Sequence, residues 1–140
     1  MIWIASHPRS GNTFLRNLFF DVFNLESTSY PREGKHNNDN NYQITKTHHL
    51  PNKIPTLKES DFVIYLVRDG RDSTISNAYY KKNFIDPNSN FNETIEEIII
   101  ARNGSHFGGW SNNVFQWSKR ADIIIRFEDL IKNPAYWMRQ

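Results

Sequence analysis

The chain has 140 residues, the size of one domain, and a formal net charge of +2, too small for bulk electrostatics to make nucleic acid a partner. It contains no cysteine, which excludes disulfides, thiolate zinc sites and a thiol nucleophile. Only 38% of the residues are hydrophobic, but ten Phe, six Tyr and four Trp supply large rings, so a folded core is expected.

The chain opens on the apolar run Ile2-Trp3-Ile4-Ala5, with no basic leader before it and no apolar stretch long enough to span a bilayer. A cytoplasmic protein without a transmembrane segment is expected. The glycosylation sequons at Asn92 and Asn103 then read as chance matches.

In chain order, Ile2 to Ala5 reads as a first strand. Thr13 to Phe23 reads as a helix, with Phe14, Leu15, Leu18, Phe19, Val22 and Phe23 at helical spacing. Ser27 to Asn41 is polar and Asn-rich, and reads as a loop. Tyr42 to Thr47 forms a second strand and Phe62 to Val67 a third. Helices follow at Arg71 to Lys82, where Asp69 and Asp72 suit the N-terminus, and at Glu93 to Arg102, beyond a loop from Asp86 to Asn92. A further helix runs from Trp110 to Lys119. A fourth strand spans Asp122 to Phe127, and a last helix starts near Asp129 and runs on to Gln140. The third and fourth strands are nearly continuous apolar runs, as in parallel sheets covered on both faces. Strands alternating with helices predict right-handed crossovers and a three-layer αβα domain with a mainly parallel sheet.

Three segments carry chemistry. Ser6 to Thr13 joins strand to helix, with Gly11 at the turn. Such a loop points backbone N–H groups at an anion, Ser10 and Thr13 add hydroxyl donors, and Arg9 adds a permanent charge. It is not a Walker A loop, because Ser6 stands where that motif has its first Gly and Asn12 where it has Lys. Arg68 ends the third strand, and Ser76 follows eight positions later. In a parallel sheet Arg68 opens onto the same edge as the Arg9 loop, so two anion sites suit a ligand with two separated phosphates. The alternative at Arg68 is a surface ion pair with Asp69 or Asp72. Thr45-Lys46-Thr47-His48-His49 ends the second strand. Alternation puts Lys46 and His48 on one face and His49 on the other, pairing a cation with a proton acceptor. No third ligand has metal-binding spacing beside the two histidines. His7, His36 and His106 are read as structural or exposed. Tyr79, Tyr80, Phe84 and Phe107 are either acceptor-cleft walls or packing residues.

Taken together, Pro8-Arg9-Ser10-Gly11-Asn12-Thr13-Phe14, Tyr65-Leu66-Val67-Arg68-Asp69-Gly70-Arg71-Asp72-Ser73-Thr74-Ile75-Ser76 and Lys46-Thr47-His48 resemble the sulfotransferase family that uses 3′-phosphoadenosine 5′-phosphosulfate. Gly108-Gly109-Trp110 with Trp117, and Arg126-Phe127-Glu128-Asp129-Leu130 with Asn133-Pro134, extend the resemblance along almost the whole chain. The resemblance implies a P-loop nucleotide-hydrolase-like αβα fold. It also implies transfer of a sulfonate from that nucleotide to an acceptor hydroxyl or amine, without a metal. Arg9, Ser10, Gly11, Asn12 and Thr13 would cradle the phosphosulfate, and Arg68 and Ser76 would hold the 3′-phosphate. Phe14 and Phe127 would lie near the adenine. His48 would be the base, and Lys46 and Arg9 would stabilise charge. The family's later Arg-Lys-Gly segment has no counterpart after Arg126, so a single domain over 1–140 lacking the family's C-terminal part is expected. The rival functions are a nucleotide or nucleoside kinase and a non-catalytic nucleotide-binding module.

Overall fold

The computed structural model describes residues 1–30 and 42–140. Five strands form one parallel sheet in the order β2-β3-β1-β4-β5: β1 Ile2–Ser6, β2 Ser27–Tyr30, β3 Ile44–Thr47, β4 Phe62–Val67 and β5 Ile123–Arg126. Helices α1 Asn12–Phe23, α2 Gly70–Tyr80, α3 Phe91–Ile100, α4 Ser105–Gly108, α5 Trp110–Ser118, α6 Phe127–Lys132 and α7 Pro134–Trp137 connect or follow them.

Alternation along the central strands makes the three layers. Ile4, Ile44, Ile64, Leu66 and Ile125 face one side and pack with Leu15 of α1 and Leu130 of α6. Trp3, Ala5, Val63 and Tyr65 face the other and pack with Trp117 of α5 and Ile54. The central β1 is thus buried on both faces, as its apolar run requires.

The structure departs from the sequence reading at several boundaries. Ser27–Tyr30, expected as loop, is the edge strand β2, paired in parallel with β3. Its Ser and Thr side chains carry no apolar signal, and its strand character comes from the ladder. The rest of that expected loop, with His36, lies outside the described residues. Phe127, expected as the end of a strand, instead begins α6. The expected last helix is two short ones. Asn133 separates them, its Oδ1 accepting from Tyr136 N at 3.2 Å, and Pro134 opens α7 without an N–H to continue α6. Asp69 caps α2 by accepting from Arg71 N, as its position suggested. Beyond Tyr80, α2 widens into a π turn over Lys81–Ile85.

Because every pairing is parallel, the C-terminal ends of β1, β3, β4 and β5 share one edge. β1 lies between β3 and β4, so the chain's crossovers diverge beside it, where open α/β sheets bind ligands. Ile4 is fully buried at that centre. Ile4→Ala is expected to cost about 2–5 kcal/mol in urea unfolding with an unchanged slope, whereas Phe20→Ala on the exposed side of α1 should stay within about 0.5 kcal/mol.

Candidate functional site

The loop after β1 runs from His7 to Gly11. Gly11 stands at the N-terminus of α1 with φ 90°, and no side chain caps the first turn, so its amides stay open to an anion. The Ser10 hydroxyl is buried without a hydrogen-bond partner, a donor suited to a phosphate or sulfonate oxygen. Asn12 serves differently: its Nδ2 donates to Ile4 O at 3.2 Å and Ser6 Oγ at 3.1 Å, stapling the loop to β1. The freedom at Gly11 is used by protein, since a Cβ there would collide with the Phe127 ring. That ring also meets Phe14 edge-on, at 6.4 Å between centroids, so the two residues expected near a base form one aromatic corner.

At the end of β3, Lys46 and His48 point together as alternation requires. Lys46 Nζ lies 3.2 Å from His48 Nε2. On the other side of the ring, His48 Nδ1 donates to the Ser6 carbonyl at 2.7 Å. A carbonyl only accepts, so Nδ1 carries the proton and Nε2 keeps its lone pair. Burial, followed by the Lys46 charge, pushes the His48 pKa down to about 4, so the ring is neutral at physiological pH. Burial and the charge of Arg16 also hold the Lys46 ammonium below the usual lysine range. His49 turns away, against Tyr30 and Phe107.

Arg68 and the Arg9 loop do meet. Arg68 Nη1 donates to Arg9 O at 3.1 Å, and its guanidinium lies over the Phe127 ring. Arg9, at φ 63°, turns its Nε toward Ser76 Oγ at 3.3 Å and its guanidinium over Tyr80. The ion pair weighed for Arg68 does not form, because Asp69 is taken by Arg71 at 3.0 Å. Among the described residues neither Arg9 nor Arg68 has a carboxylate partner. Both stand between two lobes of a cleft. One lobe, of about 640 Å³, holds Gly11, Lys46, His48, Ile98, His106 and Phe107. The other, of about 420 Å³, holds Ser76, Tyr79 and Phe84. Of the four aromatics left open by the sequence, Tyr80 lines both lobes.

The family model described as the sulfotransferase domain matches residues 1–140. The chain belongs to the sulfotransferase family. It is 26% identical to cytosolic sulfotransferase 13 of Arabidopsis thaliana over 166 residues, covering 98% of this chain and 51% of that protein. The crystal structure of mouse sulfotransferase SULT7A1 complexed with PAP has the same fold, with a TM-score of 0.83 and 19% identity, over 99% of this chain and 54% of that one. Retinol dehydratase in complex with androsterone and inactive cofactor PAP has a TM-score of 0.67 and 18% identity, over 94% and 55%. The chain thus spans about half the length of these relatives.

Several residues of the site carry no motif signal. His7 is buried at 1% exposure, and burial drives its pKa down to about 4. Ser6 contributes through its carbonyl. Asn113, fully buried on α5, donates to His48 O. The i, i+3, i+7 spacing of Trp110, Asn113 and Trp117 was the available clue. The Lys46–His48 contact has a measurable consequence. Lys46→Met removes a positive charge beside the ring, so the His48 pKa should rise from about 4 while remaining below the ordinary 6.5, because burial persists. Histidine-selective NMR titration checks this, and an unchanged or lower value would contradict the assigned geometry.

Proposed function

We propose that the chain binds 3′-phosphoadenosine 5′-phosphosulfate and transfers its sulfonate to an acceptor hydroxyl or amine. The observation that supports this most is the neutral His48, its Nε2 lone pair in the cleft beside Lys46, next to two arginines without acidic partners. Arg68 and Ser76 hold the 3′-phosphate. Ser10, Arg9 and the amides of Gly11 to Thr13 hold the phosphosulfate, and the Phe14–Phe127 corner takes the adenine. All of these groups are donors, cations or rings, and a polyanionic nucleotide needs these.

The chemistry is an in-line displacement at sulfur. As the acceptor oxygen or nitrogen bonds to sulfur, the bond from sulfur to the 5′-phosphate oxygen breaks. His48 Nε2 takes the acceptor proton, and the leaving bisphosphate keeps the electron pair. Lys46 must first release Nε2, and a sulfonate nearby supplies the anion that draws it away. Lys46 and Arg9 then face the negative charge building on the transferring group and on the leaving oxygen.

A Walker-type kinase is disfavoured because Asn12, in the lysine position, is committed to β1. The cytosol is the proposed compartment, on the analogy of the plant relative named for it, and no helix among the described residues is long and apolar enough to cross a membrane. The test is incubation with labelled sulfonate donor and a mixed library of hydroxyl and amine acceptors, read by mass shift. We expect transfer, and a loss of about 100- to 10,000-fold in turnover for His48→Ala with donor binding retained. Donor binding without transfer to any acceptor would leave only a binding module, and tighter binding of magnesium–ATP would favour the kinase.

A further inference from the structure

Helix α5 presents three side-chain donors on one face, at i, i+3 and i+7. Trp110 Nε1 donates to Arg68 O at 3.0 Å. Asn113 Nδ2 donates to His48 O at 3.0 Å and to Phe107 O at 3.3 Å. Trp117 Nε1 donates to His49 O at 3.0 Å. Each acceptor carbonyl lies just beyond the last residue of β3 or β4, or in the segment before α5. There the sheet ladder has ended and the backbone needs another partner.

The donors are themselves held in place. Tyr65 OH donates to Asn113 Oδ1 at 2.9 Å, which turns the amide so that its Nδ2 faces the carbonyls. Trp117 is fully buried and stacks on Tyr65. Trp110 rests on Gly70, where a Cβ would come within 2.9 Å of its indole. One rigid helix therefore grips the backbone of the residue assigned to the 3′-phosphate and the carbonyls of the proton acceptor and of the residue after it.

We propose that Trp110, Asn113 and Trp117 are positioning residues that set the Arg68 end and the His48 end of the site against each other. The proposal rests on the nucleotide-binding reading for its first half only. Trp110 acts on the arginine and hence on the phosphate. Asn113 and Trp117 act on the β3 end, and hence on how deeply the His48 ring is buried beside Lys46, His7 and His49, the titratable and charged groups that act on it.

The experiment compares Trp110→Phe, Trp117→Phe and Asn113→Leu with the unaltered chain. The two Trp variants keep an aromatic ring and lose the N–H together with part of the indole volume, so thermal stability is measured for each. Two readouts are taken: calorimetric affinity for 3′,5′-bisphosphoadenosine, and the His48 pKa by NMR. Loss of one hydrogen bond corresponds to about 2- to 10-fold. Trp110→Phe should weaken the bisphosphate within that range and leave the His48 titration in place. Trp117→Phe and Asn113→Leu should do the opposite, raising the His48 pKa from about 4 as water reaches the ring, with affinity unchanged. A purely structural role predicts that both readouts move together in proportion to lost thermal stability. That pattern, or a folded Trp117→Phe chain with an unmoved His48, overturns the proposal. If the unaltered chain does not bind the bisphosphate, the nucleotide reading fails, and the His48 readout still decides the positioning role.

Discussion

The hydrogen bond from His48 Nδ1 to the Ser6 carbonyl, 2.7 Å long, joins the end of the central strand to the end of its neighbour. Much of the site depends on it. It sets the tautomer, so Nε2 faces Lys46 with its lone pair. It pins the first residue beyond β3 to the residue from which the Arg9 loop departs. Asn12 ties the same point from the helix side through its bond to Ser6 Oγ. The loop, the His48 ring and the helix N-terminus are therefore one rigid corner, and the parallel sheet brings β4 and Arg68 to it.

Electrostatics explains what that corner selects. Arg9, Lys46 and Arg68 converge, and among the described residues no carboxylate lines the larger lobe with them. Arg9 is also held at a positive φ, which for a non-glycine residue costs of order 1 kcal/mol and marks a geometry imposed by its surroundings. Burial adds a second effect at Lys46 and His48, where it disfavours charge on both groups. An anion arriving between the arginines relieves the mutual repulsion of the cations, and a neutral ligand does not. By contrast, Arg71 has its own partner in Asp69 on the outer face of α2, and takes no part.

The architecture was legible where burial imposes a pattern on the chain. The apolar runs of β1 and β4, the helical spacing of α1 and the Gly11 turn all follow from local chemistry, and so did the shared face of Lys46 and His48. The polar β2 was not legible, because its pairing with β3 is a tertiary event. Phe127 was read as a strand residue because apolar character continues across the strand-to-helix boundary. Its packing into the space left by Gly11 depends on a residue 116 positions away by number (127 − 11). Trp110 and Trp117 stood in the resemblance, but the donor role of α5 escaped for the same reason: Asn113 and Trp117 reach carbonyls 65 and 68 residues away in sequence. The burial of His7, read as structural or exposed, likewise depends on the layers above the loop.

The central claim is that Arg9 and Arg68 stand between two anion sites for a single nucleotide. The most direct measurement is calorimetric affinity for 3′,5′-bisphosphoadenosine against adenosine 5′-phosphate, in the unaltered chain and in Arg68→Gln. The account predicts that removing the 3′-phosphate weakens binding by about tenfold or more, the scale of a charge-assisted hydrogen bond, and that Arg68→Gln abolishes the difference. Equal affinity for the two nucleotides in the unaltered chain would contradict it.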